Sequence, residues 1–179
     1  YLKIPLAHIE AGLRTYNIYS PYPEEVNRQI VSRIASVHFS PTETAKQNLI
    51  KEGISEELIF VTGNTVIDSI LYTIEKTQAE GFEQQFTKKF PFLYNHSDKS
   101  GSVILITGHR RESFGRGFEQ ICYAIKELAE IYPNFKFVYP VHLNPNVREP
   151  VNKILSNQSN IFLIEPLGYS DFVMLMSKS

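Results

Sequence analysis

Ser102-Val103-Ile104-Leu105-Ile106-Thr107-Gly108-His109-Arg110-Arg111-Glu112-Ser113-Phe114-Gly115-Arg116 passes from a short apolar run into a glycine-flanked basic turn, and a helical pattern opens near Gly117. The turn gathers one imidazole and three guanidinium groups, a composition suited to holding an anion. In an open α/β sheet a strand-to-helix junction is where ligands bind, because helix N-terminal amides and loop side chains converge at the carboxyl ends of the strands. The alternative is a solvated surface loop that happens to be basic.

Working outward, short apolar runs of strand length recur at Ile4 to Ile9, Val37 to Ser40, Leu58 to Thr62, Val103 to Thr107, Phe135 to Val141 and Ile161 to Ile164. Helical patterns separate them. Val26, Ile30 and Ile34 recur every four residues, and Phe118, Ile121, Ile125, Leu128 and Tyr132 keep helix spacing over four turns. After the second strand Ser40 can cap a helix, Pro41 suits its first position, Glu43 completes a capping box and Gly53 can end it. Asn144-Pro145 opens another helix in the same style. This alternation predicts parallel sheets covered on both faces.

Between Gln78 and Gly101 the pattern gives way to Lys88-Lys89, Pro91 and a polar run from Asn95 to Gly101, which reads as a junction between domains. The expected organisation is therefore residues 1–77, a linker region over 78–101, and residues 102–179. Each flank supplies part of a doubly wound lobe. Tyr1 in place of Met, and an apolar helical pattern from Asp171 to Met176 with no stop signal after it, predict the middle of a longer protein.

With 42% hydrophobic residues and a formal net charge of -1, the chain has the composition of an ordinary globular protein. Near-neutrality argues against a general nucleic-acid partner, so the basic turn is a local feature with a small ligand. No secretory signal or long apolar run is present, so no membrane partner and a cytoplasmic location are expected. The single Cys122 lies on an apolar helix face and reads as a buried, inert thiol.

Polar groups collect where the strands end: Glu10 to Thr15 after the first, Thr62-Gly63-Asn64-Thr65 after the third, the basic turn after the fourth, and His142-Leu143-Asn144 after the fifth. A shared edge of this kind is expected at a cleft. Glu10 has an alternative as the ion-pair partner of Arg14, four residues on. Glu24 and Glu25 begin a helix, where the dipole alone favours carboxylates. His8 and His38 read as satisfied core histidines, and His142 is open between packing and ligand contact. No dinucleotide turn, phosphate loop, nucleophile elbow or metalloprotease pair is present, and one cysteine with scattered histidines predicts no metal site and no cofactor. What remains is a His/Arg turn with one or two carboxylates, a set suited to acid/base chemistry on a phosphorylated or nucleotide-linked substrate.

Six stretches, in order, resemble the bacterial UDP-N-acetylglucosamine 2-epimerases of the non-hydrolysing type. They are His8 to Thr15, Ser20 to Arg28, Phe39-Ser40-Pro41-Thr42-Glu43, Thr62 to Asp68, the basic turn, and Pro140 to Val147. The resemblance covers essentially the whole chain. It implies an α/β fold of two Rossmann-like, doubly wound lobes, similar to nucleotide-sugar glycosyltransferases of the GT-B type and each partly covered by these residues, with UDP in the cleft between them.

The family's isomerase reaction inverts C2 of the sugar, interconverting UDP-N-acetylglucosamine and UDP-N-acetylmannosamine through elimination and re-addition of UDP. By resemblance the catalytic residues are Glu10, Glu24 and His109, with His109, Arg110 and Arg111 binding substrate. Glu24, Arg110 and His142 match positions that bind a second UDP-N-acetylglucosamine as an allosteric activator. UDP-N-acetylglucosamine and UDP are then the partners, in a homodimer serving cell-envelope polysaccharide synthesis. A third catalytic carboxylate would precede Tyr1 and a Ser-Gly-Gly stretch would follow Ser179, so residues 1–179 alone are expected to be inactive. The rival readings are a hydrolysing 2-epimerase, a glycosyltransferase of the same fold that lacks the paired Glu10 and Glu24 motifs, and a non-catalytic nucleotide-sugar-binding protein.

Overall fold

The computed structural model describes residues 3–78, 81–94, 102–108 and 114–179. All six expected strands form, as β1 (Ala7–Ile9), β2 (Val37–Ser40), β3 (Ile59–Val61), β4 (Val103–Leu105), β5 (Lys136–Pro140) and β6 (Ile161–Ile164). They build two parallel three-stranded sheets, in the orders β1-β2-β3 and β4-β5-β6. The helices are α1 (Glu24–Ile34), α2 (Glu43–Lys51), α3 (Thr65–Thr77), α4 (Phe82–Lys89), α5 (Arg116–Ile131), α6 (Pro145–Leu155) and α7 (Tyr169–Ser177). The chain divides into two compact units, Tyr1–Ser69 and Ile70–Ser179.

In the second unit the period of two along β5 sorts side chains onto two cores. Phe137 and Tyr139 pack with Phe118, Cys122 and Ile125 of α5 and Val147, Val151 and Leu155 of α6. Val138 points the other way, into a cluster with Phe86, Phe90, Leu93, Met174 and Leu175. This sheet is thus covered on both faces, which is why β5 could be a nearly continuous apolar run. Burial pushes the Cys122 thiol up to about 11, with Glu119 adding to the shift, so the thiol stays protonated at neutral pH.

The stretch read as polar junction contains α4 and a 3-10 turn at Pro91–Leu93. Phe86 and Phe90 are buried, and Phe92 stacks on Phe162 with centroids 4.1 Å apart. Their phenyl groups are interleaved with Gln and Lys on the exposed face, so polarity masked an amphipathic element.

In the first unit a smaller core of Ala11, Leu49 and Ile59, flanked by Ile50 and Ile54, holds α2 against the sheet. The cap of α2 differs from expectation. Thr42, not Ser40, accepts the hydrogen bond from Ala45 N at 3.1 Å. Ser40 is the last residue of β2 and is fully buried, so the chain leaves the sheet through Pro41 before the helix begins. The apolar stripe of α1 also faces outward: Ile30 and Ile34 are exposed while Glu25 and Ser32 are buried.

Candidate functional site

The turn after β1 is pinned at several points. Ala11 N donates to Phe39 O at 2.9 Å, and Asn48 Nδ2 donates to Gly12 O at 3.0 Å. Gly12 adopts φ +86°, and a Cβ there would sit 2.1 Å from Ala45 O, so only glycine fits between the turn and α2. Glu10 itself has φ +63°. A non-glycine residue in the left-handed region is strained by of order 1–3 kcal/mol, and such residues concentrate at functional sites.

The exposed Glu10 carboxylate lies at the carboxyl end of the sheet and accepts a hydrogen bond from Asn64 Nδ2 at 2.9 Å, across β2 from the loop after β3. The ion pair considered for it with Arg14 is not what forms. Arg14 is buried and makes a two-point contact with Glu52, Nε to Oε1 at 2.7 Å and Nη2 to Oε2 at 2.9 Å. Its remaining donors reach Ser32 Oγ at 2.7 Å and Leu13 O at 2.9 Å. Arg14 is a strut that fastens the turn to α1 and to the end of α2, and Glu10 is left for other work.

The two glutamates at the start of α1 separate cleanly. Glu24 is exposed, whereas Glu25 is completely buried and accepts from Thr15 N at 3.0 Å, Gln29 Nε2 at 3.0 Å and Tyr16 N at 3.3 Å. Burial acts to raise the Glu25 pKa. The hydrogen bonds from Thr15, Gln29 and Tyr16 and the charge of Arg14 outweigh it, and the net direction is down. Glu25 therefore stays ionised and organises the loop after Arg14, while Glu24 keeps its carboxylate in solvent.

His8 and His38 lie opposite each other in the β1–β2 register, rings edge-on at 6.1 Å. Burial, then proximity to His38, Arg14 and Arg28, lowers the pKa of His8; burial and Arg14 lower that of His38. His38 is a core histidine as expected, whereas His8 is only partly buried, and neither is satisfied. The Nδ1 atom of each is buried without a hydrogen-bond partner, as is Ser40 Oγ.

In the second unit a cavity of about 340 Å³ opens at the carboxyl ends of β4 and β5, lined by Thr107, Gly108, Pro140, His142, Leu167 and Phe172 among others. Tyr139 Oη donates to Gly108 O at 2.7 Å and so fixes the chain where the basic turn starts. His142 is exposed, and its Nδ1 accepts from Asn144 N at 3.1 Å. Asn144 Oδ1 in turn accepts from Asn146 N at 3.0 Å as the cap of α6, so the ring is oriented by the helix start it precedes. The expected site residues His109, Arg110 and Arg111 lie outside the described residues. Among the described residues no group of His, Cys, Asp and Glu could hold a metal ion, and no helix is long and apolar enough to cross a membrane.

The structure thus joins Glu10 to Asn64 in one unit and His142 to Gly108 around one cavity in the other. Sequence reasoning missed Asn64 as the partner of Glu10. Its signal was the polar Gly-Asn-Thr step after β3, whose side chain had no assigned task. Phe172, read only as part of an apolar helical pattern, and Leu167, given no reading, were missed as cavity walls because an apolar side chain in sequence does not distinguish a cavity lining from a packed core.

The profile of the family described as UDP-N-acetylglucosamine 2-epimerase matches residues 1–179. A UDP-N-acetylglucosamine 2-epimerase of Campylobacter jejuni is 53% identical over 180 residues, covering 100% of this chain and 47% of that protein. The enzyme of the same name from Escherichia coli K12 is 49% identical, covering 99% of this chain and 46% of its own length. The crystal structure of UDP-GlcNAc 2-epimerase from Neisseria meningitidis bound to UDP-GlcNAc superposes with a TM-score of 0.93 at 52% identity, covering 100% of this chain and 47% of that one. The chain spans about half the length of the curated relatives it matches. The α/β, GT-B-like fold class follows from these structural neighbours.

Proposed function

The chain belongs to the UDP-N-acetylglucosamine 2-epimerase family, and from that premise we propose that the complete protein interconverts UDP-N-acetylglucosamine and UDP-N-acetylmannosamine without hydrolysing them. A proton on C2 with no adjacent carbonyl is too weakly acidic for simple removal at neutral pH. Loss of UDP from C1 solves this: a base takes the C2 proton, the C1–C2 double bond forms, and the C1–O bond breaks with its electron pair leaving on UDP. The product is 2-acetamidoglucal. In the return step C1 bonds to a UDP oxygen and an acid delivers a proton to the opposite face of C2.

Such a route needs carboxyl groups that gain and lose protons, and donors that stabilise the departing diphosphate. The observation that carries the reading is Glu10, an exposed carboxylate on a strained, pinned turn at the sheet edge, held by Asn64 and not by a cation. Glu24, whose carboxylate is exposed, is the second acid/base group in this proposal. His109 contacts the diphosphate, with Arg110 and Arg111 beside it in sequence. The apolar cavity, with Phe172 as its aromatic wall, is of a kind that takes the uracil ring, and His142 at its rim joins Glu24 and Arg110 in contacting a second, activating nucleotide sugar. Division into lobes over residues 1–77 and 102–179, homodimeric assembly and a cytoplasmic site of action belong to the same proposal and rest on the resemblance.

Cleavage of the C1–O bond is tested with substrate carrying oxygen-18 in the bridge between C1 and the β-phosphorus. Once free, the β-phosphate of UDP can rotate before re-addition. Label recovered in the non-bridging positions of unconverted UDP-N-acetylglucosamine is the expected result. Epimer formed while all label stays in the bridge would contradict elimination.

A further inference from the structure

We propose that Asn64 is the positioning residue for the Glu10 carboxylate, fixing which of its two oxygens faces the substrate. The inference rests on the reading of Glu10 as an acid/base group. Asn64 stands at the start of α3, where its Oδ1 accepts from Val66 N at 3.0 Å and its backbone O accepts from Ile67 N at 3.1 Å. With Oδ1 committed to the helix, the amide has one orientation, and its Nδ2 is turned to Glu10 Oε1 at 2.9 Å. Flipping it would set oxygen against carboxylate and an NH₂ against the helix N–H, so the network itself assigns the donor.

One carboxylate oxygen is thereby occupied and the other, Oε2, is left to exchange a proton. The hydrogen bond spans 54 residues of sequence and joins the turn after β1 to the loop after β3. It therefore adds an independent anchor to a residue whose backbone is already set at φ +63°. The capping role and the positioning role use different atoms of the same amide, and this makes them separable by substitution.

Asp and Ser cap helices about as well as Asn. Asn64→Asp and Asn64→Ser in the complete protein should therefore keep the melting temperature, and each lacks the amide donor. Loss of positioning is expected to lower kcat roughly tenfold or more, with KM changed less. Glu10→Gln is measured alongside. Wild-type kcat and KM in both Asn64 variants, with Glu10→Gln inactive, would show that Asn64 only caps α3 and would overturn the inference while leaving the Glu10 reading in place. Normal turnover in Glu10→Gln would remove that reading and the inference with it. Should Asn64→Asp fail to fold, the kcat of Asn64→Ser decides.

Discussion

Glu10→Gln is expected to lower kcat by roughly 10²-fold or more, the lower end of what a positioned acid/base group contributes. Gln has almost the shape of Glu and keeps a carbonyl oxygen able to accept from Asn64, so the 2.9 Å hydrogen bond and the turn that Gly12 and Asn48 pin should survive. What is lost is the ability to take up and release a proton. The melting temperature should stay near that of the unaltered protein, because the side chain is exposed and buries no apolar surface. Steady-state assay of the complete protein, paired with a thermal melt, makes the check. Near-normal kcat in a stably folded variant would show that Glu10 does no acid/base work.

The second large effect is expected from His109→Asn, at roughly 10²-fold in turnover, the scale of removing one donor from a developing anion. UDP must leave carrying the electron pair of the C1–O bond, so a donor at the diphosphate is worth more in the transition state than in the bound substrate. The segment before it is well anchored: Gly108 O accepts from Tyr139 Oη at 2.7 Å, and Tyr139 is a buried residue of β5. Burial pushes the Tyr139 hydroxyl up to about 12, with Cys122 adding to the shift, so it remains a donor throughout the working pH range. The loss should appear in kcat more than in KM, and turnover near normal would exclude His109 from leaving-group stabilisation.

Much of the fold was legible because its signals are local. Six short apolar runs became six strands, and Asn144-Pro145 opened α6 as its cap and first-turn chemistry require. Signals that depend on which partner wins were not legible. Ser40 and Thr42 are both competent caps, and the choice fell to Thr42 because the sheet holds Ser40 one step longer. Arg14 stands four residues from Glu10 yet pairs with Glu52, which is 38 residues away and ends the helix α2. Glu24 and Glu25 are adjacent and chemically alike, and only the packing of the loop after Arg14 decides that Glu25 is buried and Glu24 free. In the same way the Glu10–Asn64 contact depends on strand order β1-β2-β3, which brings the ends of β1 and β3 to opposite sides of β2. Spacing along a chain reports helices and strands; it does not report which loops meet across a sheet.

The central claim is that the C2 hydrogen is removed and replaced by a different proton on the other face. Converting UDP-N-acetylglucosamine with the complete protein in deuterated water and examining the UDP-N-acetylmannosamine by proton NMR and mass spectrometry tests it directly. Carboxyl groups exchange their protons with solvent, so the account requires one deuterium at C2 of the product and none at the other carbon-bound positions. Product that keeps its original hydrogen at C2 throughout would contradict it.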